Sequence, residues 1–342
     1  MCKWLRNLVK RPFRRRREEQ WLLETDPGLA TATAVPCEVK TQGCGWAAGG
    51  SDRGRSRPNN EDALLCACER HLFIVCDGMG GHAAGEVASR EAIKALDEVL
   101  AAERLAQALG EGEESTKGFL REALQQANDR VVALGQENPS WSGMASTAVI
   151  AVLNGNRLHV SNLGDSRAYA VPGPHRLEAC PEPFGFAQGK LRRRDGAPTS
   201  GDDIRLLTTD HSVAAALMQQ GRLTREQARL HPLRNHLTAS LGVPQAVAPA
   251  YASVEVNSGD RIVLCSDGLW DMLTDAEIAQ MATAYRDPHE AVKALISAAN
   301  AAGGLDNITV IVVIVGAEEA IAEGQAAMET ITGSNRAGAG RG

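Results

Sequence analysis

The sequence predicts an α+β protein in which antiparallel sheets pack together under a cover of helices. Short apolar runs alternate with helical stretches along the 342 residues. Several runs are separated by hairpin-sized turns, and two long helical segments arrive together between early and middle strands. A doubly wound parallel sheet would instead place a helix after nearly every strand.

Strands are expected at Ala63–Ala67, His71–Cys76, Ser146–Leu153, Arg157–Asn162, Ser166–Val171, Ile204–Thr208, Arg261–Ser266 and Ile308–Val315. Asn154-Gly155-Asn156 is the clearest hairpin turn. Helices are expected over Ala84–Leu109, Ser115–Glu137, Val213–Gln220, Asp275–Ala284 and Pro288–Ala302. In the first of them Val87, Ile93, Leu96, Leu100 and Leu105 lie near one stripe, the signature of a face turned to a core.

The organised part is set at residues 44–316. Residues 1–43 read as a basic extension and 317–342 as an Ala-, Glu- and Gly-rich tail that buries little. Within the organised part, 172–203 is long, rich in Pro, Gly and Arg, and expected to be a surface insertion.

Charge divides along the same lines. The chain carries 36 Lys plus Arg against 42 Asp plus Glu, net −6. Residues 1–17 hold eight of the bases and no acid, so the remainder carries 28 against 42, or −14. That acidity excludes a dedicated nucleic-acid binder. No apolar run reaches the roughly 18 to 20 residues that span a bilayer, and the expected location is the cytoplasm. As a helix, 3–11 would put Trp4, Leu5, Leu8 and Val9 opposite Lys3, Arg6 and Lys10. Residues 1–17 are thus a candidate contact with an anionic inner membrane surface, or simply a solvated tail. The eight cysteines include no CxxC pair, and Cys76 and Cys265 sit inside apolar runs, as small buried thiols do.

The chemical signal is Asp placed where an apolar run stops. Phe73–Cys76 is followed by Asp77-Gly78, and Ile262–Ser266 by Asp267-Gly268. Asp62 precedes a strand, Asp165 lies between two, and Asp306 precedes the last. The glycines are expected to let the chain turn sharply and bring their carbonyls close to whatever the Asp holds. An Asp-Gly pair is by itself a common turn. Five acids drawn together would repel one another unless cations neutralised them. Oxygen ligands without a His or Cys cluster suit Mg²⁺ or Mn²⁺ and not zinc.

Seven fragments carry a specific resemblance: Arg57-x-x-Asn-Glu61-Asp62, Cys76-Asp-Gly-Met-Gly-Gly-His82-x-Ala-Gly-Glu86, Gly143-Met144 with Ser146-Thr147, Gly164-Asp-Ser-Arg167, Asp210-His-Ser212, Cys265-Ser-Asp-Gly-Leu-Trp-Asp271 and Asp306-Asn-Ile-Thr309. In order and approximate spacing they resemble the metal-dependent protein phosphatases of type 2C, the PPM family, over residues 50–316. Met-Gly-Gly between Asp77-Gly78 and His82 is similar to the bacterial serine/threonine branch. The resemblance implies a four-layer α-β-β-α sandwich, two packed mainly antiparallel sheets flanked by helices. It implies hydrolysis of phosphoserine and phosphothreonine by a water activated between two metals, in opposition to a serine/threonine kinase.

Carried over residue by residue, the resemblance makes Asp77 the bridge between two Mn²⁺ or Mg²⁺ ions. The Gly78 carbonyl serves one ion, and Asp267 with Asp306 hold the other. Glu61 and Asp62 act through water held by the ions, and Asp165 helps hold a third, weaker ion. Arg57 grips the substrate phosphate through its planar fork, and His82 is the candidate acid for the leaving oxygen. Asp210-His211-Ser212 begins a segment similar to the family's flap, ending near Leu241-Gly242. Two departures are visible: Ala145-Ser146-Thr147 stands for Gly-Thr-Thr, and Thr238-Ala-Ser lacks the usual Arg after the Thr. No Cys-x₅-Arg loop offers a covalent route. The expected partners are phosphorylated proteins, including a kinase, and the expected state is a monomer. A catalytically dead binding module would lack metal ligands, and a structural calcium protein would show a 12-residue acidic loop; neither pattern is present.

Overall fold

The computed structural model describes residues 40–44, 46–80, 84–173 and 204–316. His82, the 1–17 segment, the 317–342 tail and nearly all of the 172–203 insertion lie outside them. Two six-stranded antiparallel sheets form the middle of the molecule. The first contains β1 (Lys40–Cys44), β2 (Ala47–Asp52), β8 (Arg167–Val171), β9 (Arg205–Leu206), β11 (Arg261–Cys265) and β12 (Ile308–Ile314), in the order β1-β2-β12-β11-β8-β9. The second contains β3 (Asp62–Ala67), β4 (Leu72–Met79), β6 (Ala148–Asn154), β7 (Arg157–Leu163) and β10 (Ala250–Glu255), in the order β10-β7-β6-β4-β3. The two-residue β5 (Ala145–Ser146) pairs with the end of β4.

The sheets are glued by Trp46, Leu64, Phe73, Val75, Val149, Val160, Ile262, Leu264, Ile311 and Val313, all buried. Trp46 meets Phe73 edge-on with ring centroids 5.8 Å apart, a geometry worth about 0.5–1.5 kcal/mol beyond area burial. On the outer face of the second sheet lie α1 (Ala84–Val99), α2 (Ala102–Glu111) and α3 (Glu113–Glu137). Their buried stripe includes Ala88, Ala92, Leu96, Phe119, Leu120, Ala123 and Ala127. Two short helices, α4 (Val213–Gln219) and α5 (Arg225–Arg229), lie between β9 and β10, and on the first sheet lie α6 (Asp267–Trp270), α7 (Asp275–Ala284) and α8 (Pro288–Ala301), packed through Trp270, Ile278, Val292, Leu295 and Ile296. The expected four layers are therefore present.

Local chemistry accounts for where the helices start. Thr274 and Glu277 form a reciprocal capping box on α7, and Asp287 caps α8 ahead of Pro288. The predicted helix 84–109 is instead two helices. Ala101 is extended at φ −56° and ψ 147°, and the break lets α2 turn back to bury Leu105 and Ala108 beside α3.

Strands β1, β2 and β10 were not predicted. β2 reads Ala-Ala-Gly-Gly-Ser-Asp, with no β-branched residue, yet all six positions are buried. A side chain at Gly49 would lie 2.9 Å from Cys66 Sγ and 3.0 Å from Leu64 Cδ1 across the sandwich. Small residues are needed there because the opposite sheet is close, and propensity has no access to that. Among the described residues no helix is long and apolar enough to cross a membrane.

Candidate active site

One end of the sandwich gathers the strand-end acids. Asp62 and Asp77 are direct cross-strand partners on β3 and β4. Asp165 lies between β7 and β8, Asp267 opens α6 directly after β11, and Asp306 stands two residues before β12. A cavity of about 200 Å³ is lined by Arg57, Glu61, Asp77, Gly78, Asp165, Asp267 and Asp306, with Thr147, Asn235, Leu237 and Asn307 completing much of its wall. Asp62 is buried just behind this lining.

The glycines do not make the sharp turns that the sequence led us to expect. β4 continues through Asp77 and Gly78 to Met79, because β5 pairs there with Gly78 opposite Ser146, and Gly268 lies within α6. Close approach is the reason for glycine instead. A Cβ on Gly78 would collide with the Gly85 carbonyl, and one on Gly268 with the Asn307 carbonyl.

Hydrogen bonds hold the acids in place. The Asp77 amide donates to Thr147 Oγ1 at 2.9 Å, and the Thr147 amide returns to the Asp77 carbonyl at 2.8 Å. Ser266 Oγ donates to Asp62 Oδ2 at 2.8 Å and accepts from the Thr309 amide at 3.0 Å. Asn307 accepts from the Glu61 amide at 2.8 Å and donates to the carbonyls of Arg53 and Asn59, tying the 53–61 loop to β12. Arg57 reaches Asp306 Oδ2 at 2.6 Å while remaining about half exposed, so its fork is at the cavity rim. Sequence reasoning assigned no role to Thr147, Ser266, Asn307, Asn235 or Leu237. Ser266 and Asn307 adjoin Asp267 and Asp306 in sequence and Thr147 belongs to the Ser146-Thr147 fragment, which were usable signals; Asn235 and Leu237 fall in the flap-like 210–242 segment but carry no individual signal.

The electrostatics are those of an uncompensated acidic cluster. Burial pushes Asp62 up to about 7, against hydrogen bonds from Thr309 and Ser266, with Asp306 and Glu61 adding to the rise. Asp165 is likewise pushed up to about 7, by burial and then by the charge of Asp210, with Arg167 opposing. Asp77 and Asp267 lie well above the usual carboxylate range, through burial first. The next largest contributions are Asp62 and Asp267 for Asp77, and Asp165 and Asp306 for Asp267. Glu61 is raised by burial, with Arg57 opposing. Asp62 Oδ1 and Asp267 Oδ1 are buried without a hydrogen-bond partner. Such oxygens are costly unless something positive meets them. The residues present therefore fit hard divalent cations. No three carboxylate, imidazole or thiol groups among the described residues close into a cage, and Mg²⁺-type ions keep several waters in their shell.

A two-sheet sandwich whose end presents an acid-lined cavity with one guanidinium at its rim suits the chemistry of phosphate esters. The family described as Protein phosphatase 2C matches residues 49–301, and the chain belongs to that family of enzymes. It is 32% identical to the serine/threonine phosphatase stp of Listeria innocua, over 77% of this chain and 93% of that protein. Among solved structures it resembles the serine/threonine phosphatase Stp1 of Staphylococcus aureus, with a TM-score of 0.65 and 29% identity, covering 79% of this chain and 94% of that one. It also resembles the catalytic domain of the serine/threonine protein phosphatase PstP in complex with two manganese ions. There the TM-score is 0.59 and the identity 31%, covering 78% of this chain and 96% of that one.

Proposed function

We propose that this protein hydrolyses phosphoserine and phosphothreonine in other proteins, using divalent ions held at the acid-lined cavity, and so opposes a serine/threonine kinase. The observation that carries the reading is the convergence of Asp77, Asp165, Asp267 and Asp306 with Arg57 on one cavity, with buried carboxylate oxygens left unpaired behind it. Mn²⁺ or Mg²⁺ fits the oxygen donor set, and the PstP structure with two manganese ions supports the count.

Asp77, the Gly78 carbonyl, Asp267 and Asp306 would hold two ions, and Asp165 would help hold a third, weaker one, since all of them line the cavity. Glu61 and Asp62 would act through intervening water. When bound, the ions would supply charge neutralisation at the phosphoryl oxygens and would acidify a water for attack on phosphorus. Arg57 exchanges its contact with Asp306 for two phosphate oxygens and orients the ester. Thr147 fixes the main chain at Asp77, and Ser266 holds the Asp62 carboxylate. His82, outside the described residues, protonates the departing alkoxide. The basic sequence of residues 1–17 is suited to an anionic membrane or an acidic partner, and the catalytic unit acts as a monomer.

The test is release of phosphate from a phosphothreonine peptide by the purified full chain with Mn²⁺. Turnover that disappears with chelator and in Asp267→Ala is expected. No turnover with any divalent ion, or an Asp267→Ala variant as active as wild type, overturns the reading. Comparing phosphoproteins in cells carrying wild type or Asp267→Ala identifies the substrates and shows whether a kinase is among them.

A further inference from the structure

The short loop that carries Asp165 is gripped on both flanks by the start of the 210–242 segment. On one flank, the His211 amide donates to the Gly164 carbonyl at 2.9 Å, and His211 Nδ1 lies 3.2 Å from the same oxygen. On the other, Arg167 donates to both carboxylate oxygens of Asp210, with Nε 3.1 Å from each and the second guanidinium nitrogen 2.6 Å from Oδ2. The Arg167 guanidinium also lies 3.7 Å over the ring of Trp270. The indole N–H of Trp270 in turn donates to the main-chain carbonyl of Asp165 at 3.0 Å.

These contacts form one chain: Asp210, Arg167, Trp270, Asp165. Each link is stiff. The Arg167–Asp210 pair is largely withdrawn from solvent, with side-chain exposures of 12% and 10%, so water competes only weakly for it. A planar fork on a carboxylate and a guanidinium on an indole face both specify orientation, unlike a lysine point charge. Trp270 is itself 3% exposed and ends the helix that Asp267 begins. The outer end of the chain is equally tied down. Ser212 bridges to Leu237, and the Thr238 amide donates to the His211 carbonyl at 2.8 Å. Leu237 and Asn235 line the catalytic cavity. A buried ion pair is a poor source of net stability, and register is its best-attested use.

We propose that Arg167 and Trp270 are positioning residues that couple the 210–238 segment to Asp165, so that the seating of this segment over the cavity sets how firmly the Asp165 loop holds a divalent ion. The proposal rests on the reading of Asp165 as a metal ligand. Arg167 and Trp270 touch neither substrate nor ion; they act through the Asp165 carbonyl and the loop it belongs to.

The test is calorimetric titration of Mn²⁺ into the metal-free full chain, comparing wild type, Asp165→Ala, Trp270→Phe, Asp210→Asn and the Trp270→Phe/Asp210→Asn double variant. Trp270→Phe keeps an aromatic face and removes only the indole donor, whereas Asp210→Asn weakens the chain at its far end. Asp165→Ala is expected to remove the weakest binding event. Each relay variant is expected to weaken that same event about tenfold, the scale of one hydrogen bond, and to leave the tighter events within about twofold. The double variant should weaken it no further than the worse single one, since links of one chain are not additive. The proposal is overturned if Asp165→Ala removes the weak event while both relay variants leave it unchanged, or if they weaken every event alike, as a merely structural role would. Asp165→Ala leaving every event intact overturns the ligand reading and this proposal together. Asp210→Asn decides the question should Trp270→Phe fail to fold.

Discussion

Asp62 and Asp77 face each other directly across β3 and β4, two carboxylates at a cross-strand position where like charges are destabilising. Only one oxygen of Asp62 is satisfied, by Ser266, and the other is buried without a partner. The sheet therefore stores an electrostatic cost at the point where the cavity begins, and a bound cation relieves it.

That cost sets a pH dependence. Folded-state values near 7 for Asp62 and Asp165 lie above the roughly 3.9 of an unfolded Asp, so the folded, metal-free chain binds more protons than the unfolded one between those limits. The stability that these two groups contribute is fully present below about 4 and is lost as pH rises through about 7. Urea denaturation in chelator should show lower stability at pH 8 than at pH 5.5, with the difference reduced in Asp62→Asn. Added Mn²⁺ should stabilise more at pH 8, because its binding displaces those protons. Equal metal-free stability at the two pH values would remove the argument.

Arg57 is held by Asp306 at 2.6 Å and presents its fork at the cavity rim. Losing charged hydrogen bonds to phosphate costs about 1.5–3 kcal/mol, which is roughly 10- to 150-fold in kcat/KM. Arg57→Ala should show that loss on a phosphothreonine peptide, and Arg57→Lys should recover only part of it, since a point charge cannot engage two oxygens. Steady-state kinetics check this; a fully active Arg57→Lys speaks against bidentate binding.

Ser266 satisfies Asp62 on one side and the Thr309 amide on the other. Ser266→Ala strands both groups in a buried place, and a stability loss of about 1–3 kcal/mol is expected. Denaturation in chelator and in Mn²⁺ should both register it. Ser266→Thr tests whether the hydroxyl or the small volume matters.

Gly268 leaves no room for a methyl group beside the Asn307 carbonyl. Gly268→Ala should push α6 away from the strand β12 approach, costing about 1–3 kcal/mol through overpacking and weakening Mn²⁺ binding along with it. Calorimetry and thermal melting would register the two effects separately; unchanged Mn²⁺ affinity would show that α6 does not need this contact to place Asp267.

Much of the site was legible because its residues break a pattern. A carboxylate ending an apolar run, as at Asp77 and Asp267, is conspicuous in any sequence, and strands such as β6, β11 and β12 declare themselves by their Val and Ile content. β2 hid because its positions are filled with small residues to suit the opposite sheet, and α6 because four residues carry no periodicity. The break at Ala101 carried no Gly or Pro to announce it.

The sequence alone determined the fold class, the family and the identity of the acids, since these follow from residue type and order along the chain. Only the tertiary structure decided which hydroxyls and amides fasten those acids, that Gly78 and Gly268 are required by close approach instead of a turn, and that Asp210 reaches Asp165 through Arg167 and Trp270. Most of those relationships join residues dozens to hundreds of positions apart. They exist only once burial has brought the segments together and removed the water that would otherwise satisfy each group separately.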